Sequence, residues 1–252
     1  MNSNNDKIRN SCVQKLNSLI DDESLSRNIE KAQSSVPGDY EWVYADVTKP
    51  KTLTLALQDV DIVISTIGST EEDNSELIDY QGSINFVDAA KESSVQHIIY
   101  MSSIGAGGAE NFSAVILNLV TDKAMKWKSL GEEYIRNSGI NFTIVRPGGL
   151  RGDPGTLGIK LGQGDQIIGW IPRADVASVL VESAFNENAF EKTFEVINDE
   201  SLEIDAWRGE LKNLKKGEYG EIATGNFPLN YWISMLLILG LIVFLIRRRK
   251  SR

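Results

Sequence analysis

At 252 residues, with 42% hydrophobic and 24% charged residues, the chain has the makeup of one large folded domain with length left for an appendage, not of a disordered or fibrous protein. Net charge is −9, and because five cations lie within 247–252, residues 1–246 carry −14; so acidic a body repels phosphate backbones and excludes nucleic acid as a partner. A single cysteine, Cys12, and a single histidine, His97, exclude an intramolecular disulfide framework and a zinc site of the usual ligands, and leave a Ser-His-Asp hydrolase without support.

In chain order, residues 1–10 are polar and show no secretory signal. Val13, Leu16 and Leu19 or Ile20 predict a short amphipathic helix over 12–20, and Leu25 to Asn28 reads as a strand end. Glu41 to Ala45 alternates as a strand, and Asp46 to Pro50 turns into a helix over 52–57. Val60 to Gly68 is a buried β run that stops at Ser65, Thr66 and a glycine. Ile78 to Lys91 has helical spacing, and leads into His97-Ile98-Ile99-Tyr100-Met101, an uncharged run ending in Ser102 and Ser103. That run reads as the middle of a parallel sheet buried on both faces. Ligands of open α/β sheets settle outside the carboxyl ends of the strands, which puts the serine pair at the lip of a crevice.

The glycine-rich stretch 105–113 precedes a helix reaching about Asn137, and Ile140 to Val145 forms another strand ending in Arg146-Pro147-Gly148-Gly149-Leu150. Residues 151–170 hold several glycines without periodicity and predict a loop or small hairpin over the crevice. A helix over 174–184 and a strand over 192–198 complete a domain spanning 1–205. Strand and helix in this rhythm imply right-handed parallel crossovers.

Residues 206–228 read as a polar tether. From 229 to 246 the chain is uncharged and reaches about the 18-residue lower limit for crossing a bilayer, with Tyr231 and Trp232 at one edge and the basic tail 247–252 at the other. The expectation is a tail-anchored protein whose domain faces the cytosol.

Taken together, ADVTKP, DIVISTIGS, YQGSINFVDAAK, HIIYMSSIGA, KSLGEEYIRNSGINFTIVRPGGL, DPGT, IPRADVA and KTFEVIND resemble, over residues 25–200, the atypical short-chain dehydrogenase/reductase superfamily of the NAD(P)-binding, NmrA-like kind. The resemblance implies a Rossmann-like parallel sheet flanked by helices, with a nicotinamide dinucleotide across the carboxyl ends of its strands. By family position, Asp46 and Val47 would lie beside the adenine. Thr66, Ile67 and Gly68 would back the ribose, Lys128 would meet the nicotinamide ribose, and Pro147 would face the nicotinamide. Arg27 holds the place where NADP-preferring members carry an arginine, which favours NADP over NAD; it reads equally as a solvated surface cation.

Three departures accompany the resemblance. The family's first strand and its glycine-rich turn, whose amides hold the pyrophosphate, have no counterpart, since the first glycine of the chain is Gly38. The tyrosine four residues before the family lysine is Ala124, and the usual catalytic hydroxyl beyond the serine pair is Ile104. Ser103 and Lys128 are left as catalytic candidates. Two readings stay open: a membrane-anchored NAD(P)H-dependent oxidoreductase, and a non-catalytic nucleotide-sensing regulator or assembly scaffold for a membrane complex, one version of which binds no cofactor.

Overall fold

A computed structural model describes residues 4–16, 23–35, 38, 40–70, 72–108, 123–152, 154–223 and 232–233. Its centre is a sheet formed by β3 (Ile62–Ser65), β4 (His97–Met101), β5 (Asn141–Pro147) and β9 (Lys192–Asp199), all parallel, with β7 (Gly158–Gly162) antiparallel at the edge beside β9. Every residue of β4 is buried, as its unbroken apolar run requires of a strand covered on both faces. A separate parallel pair, β1 (Glu23–Ser26) and β2 (Glu41–Tyr44), stands beside this sheet. A third short pair joins β6 (Gly149–Arg151) to β8 (Trp170–Pro172).

Helices cover both faces. On one lie α3 (Pro50–Ala56), α4 (Gly82–Glu92) and α5 (Ala124–Arg136), whose Leu53, Phe86 and Ile135 pack with Ile98, Tyr100 and Ile144. On the other, α1 (Asn4–Leu16) and α6 (Arg173–Phe185) share a core of Ile8, Cys12, Val176, Val179 and Leu180 with Ile99 and Val145. The pair β1–β2 is held by side chains: Leu25 and Val47 join the first cluster. From α1, Arg9 donates to the Ser26 hydroxyl at 3.3 Å and lies over the Trp42 ring.

Three expectations change. The first helix starts eight residues earlier than 12, because Ile8 and Cys12, one turn apart, present one apolar face to α6. The stretch 151–170 is not a loop or hairpin: Ile159 and Leu161, alternating with exposed Lys160, make β7 an edge strand of the main sheet, and β8 returns to pair with β6. Within the stretch read as a tether, Trp207 of α7 (Ala206–Glu210) and Leu211 are buried in the core, and the Glu221 amide donates to the Gly107 carbonyl at 2.7 Å. Among the described residues no helix is long and apolar enough to cross a membrane. The expected anchor over 229–246 lies outside them apart from Trp232 and Ile233, as does the tail 247–252.

Candidate functional site

The loops that follow β1, β3 and β4 gather at one end of the sheet. The loop after β3 is tied down by its own polar side chains, with Thr70 donating through its amide and hydroxyl to Asp73 at 3.0 and 2.8 Å. The other Asp73 oxygen takes Arg27, from the end of β1, at 3.4 Å. Arg27 therefore clips the first strand pair to the main sheet while its side chain stays 57% exposed.

The polar centre of this edge is Asp79. It lies in a π-helical turn, Glu76–Gln81, that runs directly into α4, and it is fully buried. One carboxylate oxygen accepts the Lys128 ammonium at 2.8 Å and the Ser69 amide at 3.2 Å; the other accepts the Ser69 hydroxyl at 2.5 Å. Gly131 explains how Lys128 reaches it. A Cβ at Gly131 would lie 2.7 Å from the Asp79 carbonyl and 2.9 Å from the Ser83 hydroxyl, so its absence lets α5 close on the π turn. Lys128, three residues earlier, shares that face. Burial alone would lower the Lys128 pKa, but the Asp79 carboxylate, joined by Tyr100 and Glu132, outweighs it and holds the ammonium above its ordinary value. Ser83 donates to the Asp79 carbonyl at 2.8 Å and meets the Tyr100 hydroxyl at 3.1 Å, extending the network to β4. Burial raises the Tyr100 pKa despite the nearby Lys128 ammonium, so the phenol stays neutral.

A second buried charge cluster supports the end of β5. Glu132 accepts Arg146 Nε at 3.0 Å and a terminal nitrogen at 2.6 Å, a two-pronged pair with both side chains almost wholly enclosed. Arg136 adds a contact at 3.0 Å, and Glu195 stands 3.6 Å from Arg146. Burial opposes ionisation of Glu132, but Arg146, Arg136 and the Ser102 hydroxyl together hold its pKa below the ordinary value. Burial dominates at Glu195 and pushes it up to about 7. Asp165 accepts the Gly105 amide through both oxygens, at 2.8 and 3.0 Å, and fixes the loop after β4.

The sequence-predicted residues divide accordingly. Asp46 is occupied by its own turn, accepting the Thr48 amide and hydroxyl at 2.9 and 2.7 Å, with Lys49 at 3.5 Å. Val47 packs against Gly82, and its carbonyl takes the Asn85 amide at 2.8 Å. Thr66, Ile67 and Gly68 are half-buried in the loop after β3, immediately before Ser69. Ser103 donates its hydroxyl to the Ile104 carbonyl at 3.0 Å, and the Ile104 amide donates to the Pro147 carbonyl at 3.1 Å. Among the described residues no hydrogen bond joins Ser103 to Lys128. His97 is a packed strand residue, meeting the Thr143 hydroxyl at 3.0 Å and Phe190 edge-on at 4.3 Å, and burial pushes its pKa down to about 4.

Sequence reasoning missed Asp79 and Ser69. An available signal was an acid standing among the apolar positions of 78–91. Glu132 and Arg146 gave no such sign, because their pairing joins a helix residue to a strand residue 14 positions away.

Comparison with known proteins adds three kinds of finding. A family profile described as NAD(P)H-binding matches residues 11–187. An uncharacterized chloroplastic protein of Arabidopsis thaliana is 35% identical over 184 residues, covering 68% of this chain, and the chain spans 65% of that relative's length. Protein TIC 62 of the same plant is 33% identical, over 62% of this chain and 26% of its own length. Sanguinarine reductase of Eschscholzia californica is 26% identical, over 66% of this chain and 76% of its own. Among solved structures, the oxidoreductase ylbE of Lactococcus lactis superposes with a TM-score of 0.71 at 19% identity, over 83% of this chain and 93% of that one. A short-chain dehydrogenase/reductase of Veillonella parvula in complex with NADP gives 0.63 at 17%, over 76% and 90%. These two likenesses concern the fold.

Proposed function

Because this chain belongs to the NAD(P)H-binding family, we propose that it binds a nicotinamide dinucleotide along the carboxyl edge of β3, β4 and β5 as a reductase-type domain. The observation that carries the reading is the Asp79–Lys128–Ser69 network. It keeps an ammonium, only 11% exposed, protonated beside the half-buried loop Thr66–Gly68. A fixed cation with hydroxyls around it suits a ribose diol. At the other end, Asp46, Val47 and the Arg27–Asp73 clip stand where an adenosine would lie. A 2′-phosphate would compete with Asp73 for Arg27, which supports acceptance of NADP beside NAD.

When bound, the nicotinamide would supply hydride chemistry. The chain's own part is to orient it: Lys128 toward the ribose, Pro147 and the Ser102–Ser103 turn as the wall of the slot. Ser103 is the candidate proton donor, once its hydroxyl leaves the Ile104 carbonyl. Ala124 stands where the family pattern has tyrosine, so the scaffold or sensor reading is the alternative, in which the domain binds cofactor without turnover. In either case 229–246 would anchor the domain to a membrane, on the cytosolic side, near a membrane-protein partner; loss of vesicle binding on truncation after residue 228 would support the anchor, and unchanged binding would remove it.

The test is titration of the full chain in mild detergent with NADPH and NADH, following cofactor fluorescence and melting temperature. Ligand at a hundredfold excess over Kd stabilises the native state by about 2.7 kcal/mol. Lys128→Ala should weaken binding while Lys126→Ala should not. No shift at millimolar cofactor would end the reading.

A further inference from the structure

Past α7 the chain returns over the sheet face that carries α5, as a strap of residues 214–223 with neither helix nor strand. Its start is fixed at Lys215, whose amide donates to the Gln163 side-chain oxygen at 2.8 Å and whose carbonyl accepts the Gln163 amide at 2.8 Å. Midway, the Tyr219 ring meets Phe142 edge-on at 6.3 Å and lies under the Arg136 guanidinium at 4.8 Å. Two backbone amides hold its end. That of Glu221 donates to the Gly107 carbonyl at 2.7 Å, and that of Ala223 to the buried Ser129 hydroxyl at 3.0 Å.

Both of those contacts fall on elements of the proposed cofactor site. Gly107 belongs to the loop after β4 that begins with Ser102 and Ser103, and Ser129 follows Lys128 on α5. Ala223 is itself buried against Ala124 and Met125 in the first turn of α5, and Ala124 shares a helix face with Lys128 one turn on. The crossing brings bare backbone together. A Cβ at Gly220 would stand 2.6 Å from the Gly107 carbonyl oxygen, and one at Gly108 would stand 2.8 Å from the Glu221 carbonyl oxygen. Gly220 also has φ +75°, in the left-handed region that glycine enters freely. Between the fixed points, residues 215–218 and 220–222 are exposed. An element held by a few contacts and otherwise in water opens more readily than the strands beneath it.

We propose that this strap is a latch: closed, it holds the loop after β4 and α5 at the spacing the dinucleotide needs, and the bound dinucleotide in turn holds the strap closed. The inference rests on the proposed dinucleotide binding and adds its regulation. When the strap opens, the Gly107 carbonyl and the Ser129 hydroxyl lose its amides, and the serine loop is no longer tied through it to the helix that carries Lys128. Coupling between two sites is reciprocal, so the factor that opening takes from cofactor affinity is the factor by which cofactor favours closure. The output is the position of Ala223, which rests on α5 in the closed form and is free of it in the open one.

The experiment uses the full chain in mild detergent, with NADPH as the probe. Gly220→Ala drives a methyl group into the Gly107 carbonyl, and Ala223→Asp puts a carboxylate into the seat formed by Ala124 and Met125. Gly217→Ala, at φ +86° with nothing within 4 Å of the added carbon, controls for backbone strain alone. Fluorescence titration should show NADPH affinity about fivefold weaker or more in both unlatching variants, the usual scale of coupling between sites, and equal to wild type in Gly217→Ala. In wild type, saturating NADPH should slow hydrogen exchange at the Glu221 and Ala223 amides by a comparable factor, because these open locally. If circular dichroism shows the unlatching variants unfolded, the exchange measurement on wild type decides alone. Unchanged affinity in either folded unlatching variant, an equal loss in Gly217→Ala, or exchange at 221 and 223 that ignores NADPH overturns the latch and leaves cofactor binding standing. No NADPH binding to wild type removes the cofactor reading and the latch with it.

Discussion

Replacing Asp79 by asparagine keeps the shape of the side chain and removes the charge that Lys128 faces at 2.8 Å. The carboxamide oxygen can keep the two donors now on one Asp79 oxygen, Lys128 and the Ser69 amide, but its NH2 cannot accept the Ser69 hydroxyl. Removing one member of a buried pair costs about 3–5 kcal/mol, because the survivor stays charged in a poor solvent. Lys128 is 11% exposed, which places the expected loss near the lower end, about 3 kcal/mol. At about 2–4 °C per kcal/mol for a domain of this size, Tm should fall by roughly 6–12 °C. The pH dependence gives an independent check. In the wild type the folded Lys128 pKa is raised, so its contribution is complete below the ordinary value of 10.5 and lost only as pH rises through the folded value. In Asp79→Asn burial, the largest influence on Lys128, is opposed only by Tyr100 and Glu132 and depresses it. The unfolded chain then binds the extra proton below 10.5, and stability of the variant rises with pH. Urea denaturation at pH 7 and at pH 9.5 should therefore show the gap to wild type narrowing. A loss under about 1 kcal/mol, typical of an exposed pair, or a gap that widens with pH, would refute the argument.

Glu132→Gln should cost about 3–5 kcal/mol by leaving Arg146 without its two-pronged partner, whereas Glu133→Gln on the same helix should stay within about 0.5 kcal/mol in thermal melts. Glu195, whose ordinary value is 4.5, is pushed up to about 7 in the folded protein, so its contribution is complete below 4.5 and lost as pH rises through 7. Glu195→Gln should accordingly be more stable than wild type at pH 8, by up to about 3 kcal/mol, and near parity at pH 4.5. His97 acts with opposite sign in an overlapping window: its folded value of about 4 lies below the ordinary 6.5, so stability is lost as pH falls through 4, and its ring protons should titrate there by NMR. Gly131→Ala should destabilise by about 1–3 kcal/mol through overpacking, since the added Cβ meets the Asp79 carbonyl at 2.7 Å, and should weaken NADPH binding if Lys128 moves with α5.

Local pattern was enough for much of the fold. The apolar run 97–101, the hydroxyl-glycine stop after Ser65 and the helical spacing of 78–91 fix strands and helices because burial on two faces, or on one stripe, leaves a period in the chain. The same reasoning placed Thr66–Gly68, Ser103 and Pro147 in loops or strand ends at the carboxyl edge. What the sequence alone could not determine depends on elements meeting across the sheet. Lys128 is a lysine at family spacing until Gly131 lets α5 approach Asp79; Arg146 and Glu195 are unrelated charges until β5 pairs with β9. Those outcomes rest on register and on interhelical distance. Neither is written in any window of consecutive residues, because a pair energy exists only once both partners have been carried to the same place.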